Sequence, residues 1–321
     1  MRAGFGNGQI WIEHNRALEA LPHGVKAMKR ILVTGARGLI GRHALAALAE
    51  SGASLHAVGR DGTGPGQAMW HACDLTDAAQ ATALVHDLAP THLLHLAWTT
   101  THGKFWTDPA NLDWVAASLS LLRAFAASGG QRAVFAGSCA EYDFSAPAPW
   151  AEDAPLAPAT LYGTAKDALR RLAEKFCADQ GVSFAWGRVF LLAGQGEAPA
   201  RLVPSLAAAL RAGRPAATGP GSRVLDLMDT RDAGRAFAAL LAQQDATGAF
   251  NIATGQGVSL TELATRMAEL AGRPGLAAPG TLPARAGDPP VLLADVTRLN
   301  ALGFRPAHRL DDTLRAALGV A

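Results

Sequence analysis

From Met28 onward, short apolar runs alternate with longer helical stretches. The runs at 30–34, 54–59, 69–72, 92–95, 133–137 and 184–190 predict strands, and the stretches at 39–51, 78–88, 111–127 and 159–180 predict helices. Strands that alternate with helices are joined by crossovers, so the expected fold class is α/β, a doubly wound parallel sheet with helices on both faces. Beyond Phe190 proline and glycine become frequent, in "AGQGEAPARLVP", "TGPGSR" and "PARAGDPPV", while helical stretches persist at 202–212, 230–243, 259–271 and 310–317. Residues 28–190 thus read as a dinucleotide-binding unit and 191–321 as mainly a smaller substrate-binding region, with segments of 224–253 returning to the main sheet. Residues 1–27 show no strand pattern, signal-peptide core or cleavage site, and Glu13 and Glu19 argue against a transit peptide. "MKRILVTGARG" reads as a natural start, so residues 1–27 are expected to lie outside the fold, as a leader extension or the product of a mis-called start.

Composition narrows the function classes. A chain of 321 residues that is 49% hydrophobic has ample core for one large domain or two ordinary ones. With 17% charged residues, a formal net charge of +2 and no Lys/Arg run, it has no long-range attraction for nucleic acid. No apolar stretch reaches the roughly 18 residues of a membrane span. Cys73, Cys139 and Cys177 are too few and scattered for a disulfide framework, and no CxxC pair suggests zinc; a reducing, cytoplasmic setting is expected.

The first predicted strand runs into three glycines in "ILVTGARGLIG". Gly35 permits a tight turn, Gly38 lets a pyrophosphate approach backbone amides at a helix N-terminus, and Gly41 lets helix and strand pack closely. The spacing is GxxGxxG rather than GxGxxG, but its place between the first strand and the first helix points to a dinucleotide. A cofactor with a free ribose 2′-hydroxyl calls for an acid at the end of the second strand. In "HAVGRD", Gly59 and Arg60 come first and Asp61 is late. Arg37 and Arg60 together suit a 2′-phosphate gripped in fork geometry, so NADP is expected in preference to NAD. Asp74 in "CDLTD" is a candidate acceptor for the adenine amino group; otherwise it caps the next helix.

The fifth predicted strand ends in "VFAGSCAEYD", and a later helix carries "YGTAK". Tyr162 and Lys166, four apart, share one helix face. An ammonium about 4 Å from a phenolate, at an effective dielectric near 20, stabilises it by roughly 4 kcal/mol, enough to bring a phenol from about 10 toward neutral pH. Ser138 would hold the substrate oxygen.

With these motifs in place, the chain is similar to the extended short-chain dehydrogenase/reductase family of NAD(P)-dependent nucleotide-sugar epimerases, dehydratases and reductases. The resemblance runs through "TGARGLIG", "CDLTD", "HLAW", "GSCAEYD", "YGTAK", "GRVFLLAGQGE", "RLVPS", "NIATGQGVSL" and "RAGDPPVLLADVTRLNALGF". It implies a Rossmann domain, a C-terminal region that holds a nucleotide-diphospho-sugar, and a homodimer formed through 111–127 and 159–180. It also implies catalysis by Ser138, Tyr162 and Lys166. The cofactor would lie along the glycine turn with Leu39 and Ile40, against Leu75, Leu96 and Ala97, and beside Tyr162 and Lys166.

Departures from the family pattern shape the expected reaction. In the 4,6-dehydratases an Asp–Glu pair follows the catalytic Ser or Thr; Cys139 and Ala140 stand there here, which excludes the elimination. Glu141 is one residue late, and alternation turns it to the other face. The expected NADP preference favours net reduction, so the leading expectation is a 4-ketoreductase acting on a nucleotide-linked 4-keto-6-deoxy sugar. The alternatives are an epimerase with tightly bound NAD and a non-catalytic dinucleotide-sensing regulator. Leu191 replaces an asparagine of many relatives, and Arg223 is displaced from the position just before Asp226, whereas Arg285 matches the family's phosphate-binding arginine. Arg201 and Arg223 are further candidates for the diphosphate. The loop "WTTTHGKFWTDPANLDW" lies where ligands bind in such folds. His102, Lys104 and Trp106 could line the sugar pocket and Thr99 approach the substrate hydroxyls; alternatively Phe105 and Trp106 simply pack the loop onto the domain. Cys139, in the substrate region, has no histidine near it in sequence and reads as a packing residue rather than a nucleophile.

Overall fold

The computed structural model describes residues 28–101, 103–285 and 287–320. The main sheet is built from β1 (Arg30–Thr34), β2 (Ser54–Gly59), β3 (Met69–Ala72), β4 (His92–His95), β5 (Arg132–Ser138) and β6 (Ser183–Val189). After β7 (Leu191–Ala193), β8 (Ala216–Ala217) and β9 (Val224–Asp229), β10 (Gly248–Ile252) returns to complete it. Its seven strands are parallel, in the order β10-β6-β5-β4-β1-β2-β3. The order reverses between β1 and β4, and the crevice at the carboxyl ends of those two strands is where ligands enter folds of this kind.

The helices are α1 (Gly41–Leu48), α2 (Ala78–Leu88), α3 (Ala110–Ala127), α4 (Leu161–Gln180), α5 (Leu202–Arg211), α6 (Thr230–Ala242), α7 (Leu260–Leu270), α8 (Thr297–Ala301) and α9 (Leu310–Leu318). Strand alternation sorts the core. Ile31 and Val33 of β1 pack with Leu45 of α1 and Phe237 of α6 on one face. Leu32 packs with Leu121 and Phe125 of α3 and Leu169 of α4 on the other. Residues 39 and 40 were expected to open the first helix; they belong to the glycine turn, and α1 starts at Gly41. Thr160 caps α4, its hydroxyl accepting from the Gly163 amide at 3.1 Å, so that helix begins at Leu161 rather than 159.

A third apolar cluster joins Tyr142, Trp150 and Phe190 to Leu206, Leu227, Leu263 and Leu314. Around it lies a small sheet in which β9 pairs in parallel with β7 and β13 (Val291–Leu292), and antiparallel with β11 (Gly257–Ser259). β12 (Ala277–Ala278) pairs with β8. Within 224–253, α6 and β10 pack into the main sheet, while β9 lies in the small one. Among the described residues no helix is long and apolar enough to cross a membrane.

Candidate active site

The glycine turn lies against the end of β4. Gly35 has φ 64°, and a Cβ there would stand 2.6 Å from the Leu96 carbonyl carbon and the Ala97 nitrogen. A Cβ at Gly41 would stand 2.2 Å from the Gly35 oxygen. The Thr34 hydroxyl accepts from the amides of Leu96 (3.2 Å) and Ala97 (3.3 Å), which locks the two strand ends together. No side chain caps α1, so its first-turn amides suit an anionic oxygen. This cradle fits the pyrophosphate of a dinucleotide. Leu75 and Ala97 are buried, and Leu39, Ile40 and Leu96 half-buried.

The expected ribose contacts are arranged differently. Arg37 is ion-paired with Asp61, donates to the Thr63 carbonyl, and bonds the Thr63 hydroxyl at 2.9 Å. Its guanidinium also lies 5.3 Å from the centre of the Trp70 ring. Asp61 is held in place by the Thr63 amide at 3.1 Å, and the Arg37 hydrogen bond keeps its carboxyl near 2. The pair of free guanidiniums on which the NADP expectation rested is therefore absent: Arg37 already has a carboxylate, which would face a 2′-phosphate with like charge. Arg60 is exposed. Asp74 accepts from the amide (3.0 Å) and hydroxyl (2.7 Å) of Thr76, and it is Asp77 that caps α2.

The chemistry-bearing side chains meet where β5 ends. Ser138 caps a short turn at Cys139–Glu141. A Cβ on Gly163 would stand 2.3 Å from the Ala140 oxygen, so the glycine after Tyr162 lets α4 approach that turn. Tyr162 is consequently buried, with Ser138 near enough to favour its ionised form. Burial raises the phenol above its ordinary value, against the effects of Ser138 and the Arg201 charge. Lys166 shares the helix face, but its Nζ donates to the Ala136 oxygen (2.9 Å), lies 3.6 Å from the Trp98 ring centre, and is 6.0 Å from the Tyr162 ring centre. Burial pushes Lys166 down to about 7. The amine on the shared helix face is thus a desolvated one, held by a carbonyl and an indole face.

The buried Glu141 carboxylate accepts from the Ser138 amide (2.8 Å), the Trp186 indole (2.9 Å) and Arg188 Nε (2.8 Å). It turns into the sheet and leaves Cys139 and Ala140 at the positions of the eliminating acids. Burial also pushes the Cys139 thiol up to about 12, which makes it a poor nucleophile.

On the C-terminal side Arg201 reaches Tyr162 electrostatically and lies 3.6 Å from Glu197. Arg223 is ion-paired with Asp288, donates to the Pro289 oxygen at 3.1 Å, and interacts with the charge of Arg285. Arg285 is exposed. Thr99 is half-buried and Lys104 exposed; His102 lies outside the described residues. Phe105 and Trp106 stand edge-on to the Tyr162 ring, centroids 4.9 and 5.7 Å away. A cavity of about 470 Å³ lined by Glu152, Arg170, Glu174 and Arg188 contains none of the expected site residues. Sequence reasoning did not single out Trp98 or Asn111 as site residues; Trp98 closes the quoted "HLAW" and Asn111 opens the predicted helix, but nothing local shows that the two are joined.

Comparison with known proteins places this geometry. Residues 31–253 match the model of the NAD dependent epimerase/dehydratase family. The chain is 29% identical to the UDP-glucose 4-epimerase of Azospirillum brasilense, over 91% of this chain and 92% of that protein. It is 30% identical to MoeE5, solved with UDP-glucose and NAD, covering 90% of this chain and 97% of that one with a TM-score of 0.76. The fold also matches a UDP-glucose 4-epimerase from Stenotrophomonas maltophila, solved with NAD and formylated UDP-arabinopyranose, at 24% identity and a TM-score of 0.80, covering 91% and 97%. These relatives overturn the ketoreductase expectation: the curated ones are epimerases, and the solved ones carry NAD.

Proposed function

This chain belongs to the NAD dependent epimerase/dehydratase family, and we propose that it is a nucleotide-sugar epimerase acting on a uridine-diphosphate hexose around a retained NAD. One observation carries the reading. Ser138, Tyr162 and Lys166 gather at the carboxyl end of β5 in a chain similar to UDP-glucose 4-epimerases over some nine-tenths of its length. The chemistry NAD supplies when bound is reversible hydride acceptance at a sugar carbon.

In this reading the Tyr162 phenol takes the proton of the reacting sugar hydroxyl and later returns it, while Ser138 holds the same oxygen by a hydrogen bond. Lys166 holds positive charge on the same helix face, and in its protonated form it favours loss of the phenolic proton. Asp61 accepts from ribose hydroxyls, which suits NAD rather than NADP. Arg201, Arg223 and Arg285 receive the diphosphate; Thr99, Lys104 and Cys139 line the sugar side. Leu112 and Leu172, exposed on α3 and α4 at 60% and 53%, favour pairing of two copies through those helices.

The test is direct. Purified protein should contain NAD and interconvert UDP-glucose and UDP-galactose, followed by NMR, with no net consumption of reduced coenzyme. Stoichiometric oxidation of NADPH with no epimer formed would overturn the proposal.

A further inference from the structure

Asn111, the second residue of α3, is fully buried, yet the mechanism makes no use of it. Its Oδ1 accepts from the Trp98 indole at 2.8 Å, and its Nδ2 donates to the carbonyls of Phe105 and Asp108, both at 2.8 Å. An indole N–H only donates and a carbonyl only accepts, so these partners fix the amide in one orientation. The two ends of this bridge reach the two proton-handling groups. On one side the Trp98 ring lies across the Lys166 ammonium, 3.6 Å away. On the other, the Phe105 and Trp106 rings pack together at 4.3 Å and stand edge-on to Tyr162, whose amide donates to the Trp106 carbonyl at 3.1 Å.

We propose that Asn111 is a positioning residue for the reaction: its side-chain amide locks Trp98 across Lys166 and the Phe105–Trp106 pair beside Tyr162, keeping both groups in a dry aromatic enclosure. This rests on the reading of Tyr162 and Lys166 as the pair that moves the proton. Desolvation strengthens every charge interaction inside such an enclosure. It is also the main cause that lowers the Lys166 amine, against the charge of Glu141 from the turn after β5. The other titratable groups facing Lys166 are Tyr162 on its own helix and the buried His95 of β4, which senses the lysine charge.

The experiment compares Asn111→Ala, Trp98→Phe and the double variant in the full-length, NAD-loaded protein. Each single variant should lower kcat for UDP-glucose by about 10- to 100-fold and leave KM within a few-fold. The high-pH limb of kcat/KM should move upward by about one pH unit in each, as water reaches the ammonium. The double variant should be no worse than the poorer single one, because both break the same bridge. A limb that stays in place in both variants, or strictly additive losses, would overturn the proposal. If Asn111→Ala does not fold, the limb in Trp98→Phe decides alone. The rate of NAD release, measured with no sugar present, separates this proposal from the epimerase reading. If the wild type does not epimerise, that reading fails. Release equally faster in both single variants still supports the bridge, and unchanged release in both sinks it.

Discussion

Of the three lysine and arginine side chains buried among the described residues, Arg188 and Lys166 are held in opposite ways. Arg188 of β6, 1% exposed, donates to Glu141 (2.8 Å), the Tyr142 hydroxyl (3.1 Å) and the Glu152 carbonyl (2.8 Å). Burial would lower it, but the charge and hydrogen bond of Glu141, with help from Tyr142, more than offset that, and Arg188 is held above its ordinary value. Lys166 of α4, 4% exposed, has a backbone carbonyl and an indole face in place of a carboxylate in contact. Burial brings it to about 7. A buried ion costs several kcal/mol unless it is paired. Arg188 is therefore a settled charge that braces the Ser138 turn, while Lys166 stands near the pH at which it gains or loses its proton. Arg132, fully buried among the Ser183 hydroxyl and the Leu240 and Ala246 carbonyls, is likewise lowered by burial, so the difference lies in the contacting carboxylate that only Arg188 has.

The sharpest way to break that contrast is Lys166→Met, which keeps the volume and removes the charge. Turnover should fall by roughly 10²- to 10⁴-fold, while stability at neutral pH rises. The folded-state value, about 7, lies below the ordinary 10.5, so between those two the unfolded chain binds more protons. Stability of the wild type then climbs as pH rises from 7 toward 10.5, and the cost of burying the charge is complete below 7. The gain on substitution has an upper bound of roughly 5 kcal/mol. Urea melts at pH 6, 8 and 10 should show the variant losing the wild type's upward slope. A variant less stable than the wild type at every pH would defeat this account of Lys166.

Arg188→Met tests the other side. It leaves the Glu141 carboxylate buried without its cation and should cost about 3–5 kcal/mol in chemical denaturation. Adding Glu141→Gln should restore a large part of that, because the orphaned charge disappears while the Ser138 amide keeps an acceptor. A loss below about 1 kcal/mol in the single variant, typical of exposed pairs, would mean the ion pair is not the brace it looks to be.

Much of this architecture was legible in the sequence because strand runs and helical stretches carry local signals. The run 54–59 ends at a glycine, and the spacing of Tyr162 and Lys166 fixes their shared face. Strands of two or three residues such as β8 and β12 have no period to read; each exists only through its partner. The site was legible in its residue types but not in its partnerships. Lys166 points to Trp98 because Asn111, in another element, holds the indole there. Glu141, set aside as facing the wrong way, does face the other way, and there it anchors Ser138 to Arg188. The reductase expectation failed at one such partnership, because it treated Arg37 as free.

That last pairing supplies a cation at the opposite extreme from Arg188, paired but exposed. Gly62, at φ 68°, closes the turn after β2 and brings Asp61 back onto Arg37, so an acid that is late in sequence is on time in space. Water screens such a pair, so its removal should leave folding nearly unchanged. On the proposed reading its effect falls on ligand choice instead, because a carboxylate at the ribose repels a 2′-phosphate. Asp61→Asn should therefore leave urea stability close to wild type while narrowing the preference for NAD over NADP, by on the order of tenfold in the ratio of dissociation constants. Arg37→Ala, which leaves the carboxylate in place, should not narrow it. If both substitutions changed the ratio equally, Asp61 would not be the discriminating charge, and selection against the 2′-phosphate would lie elsewhere along the turn.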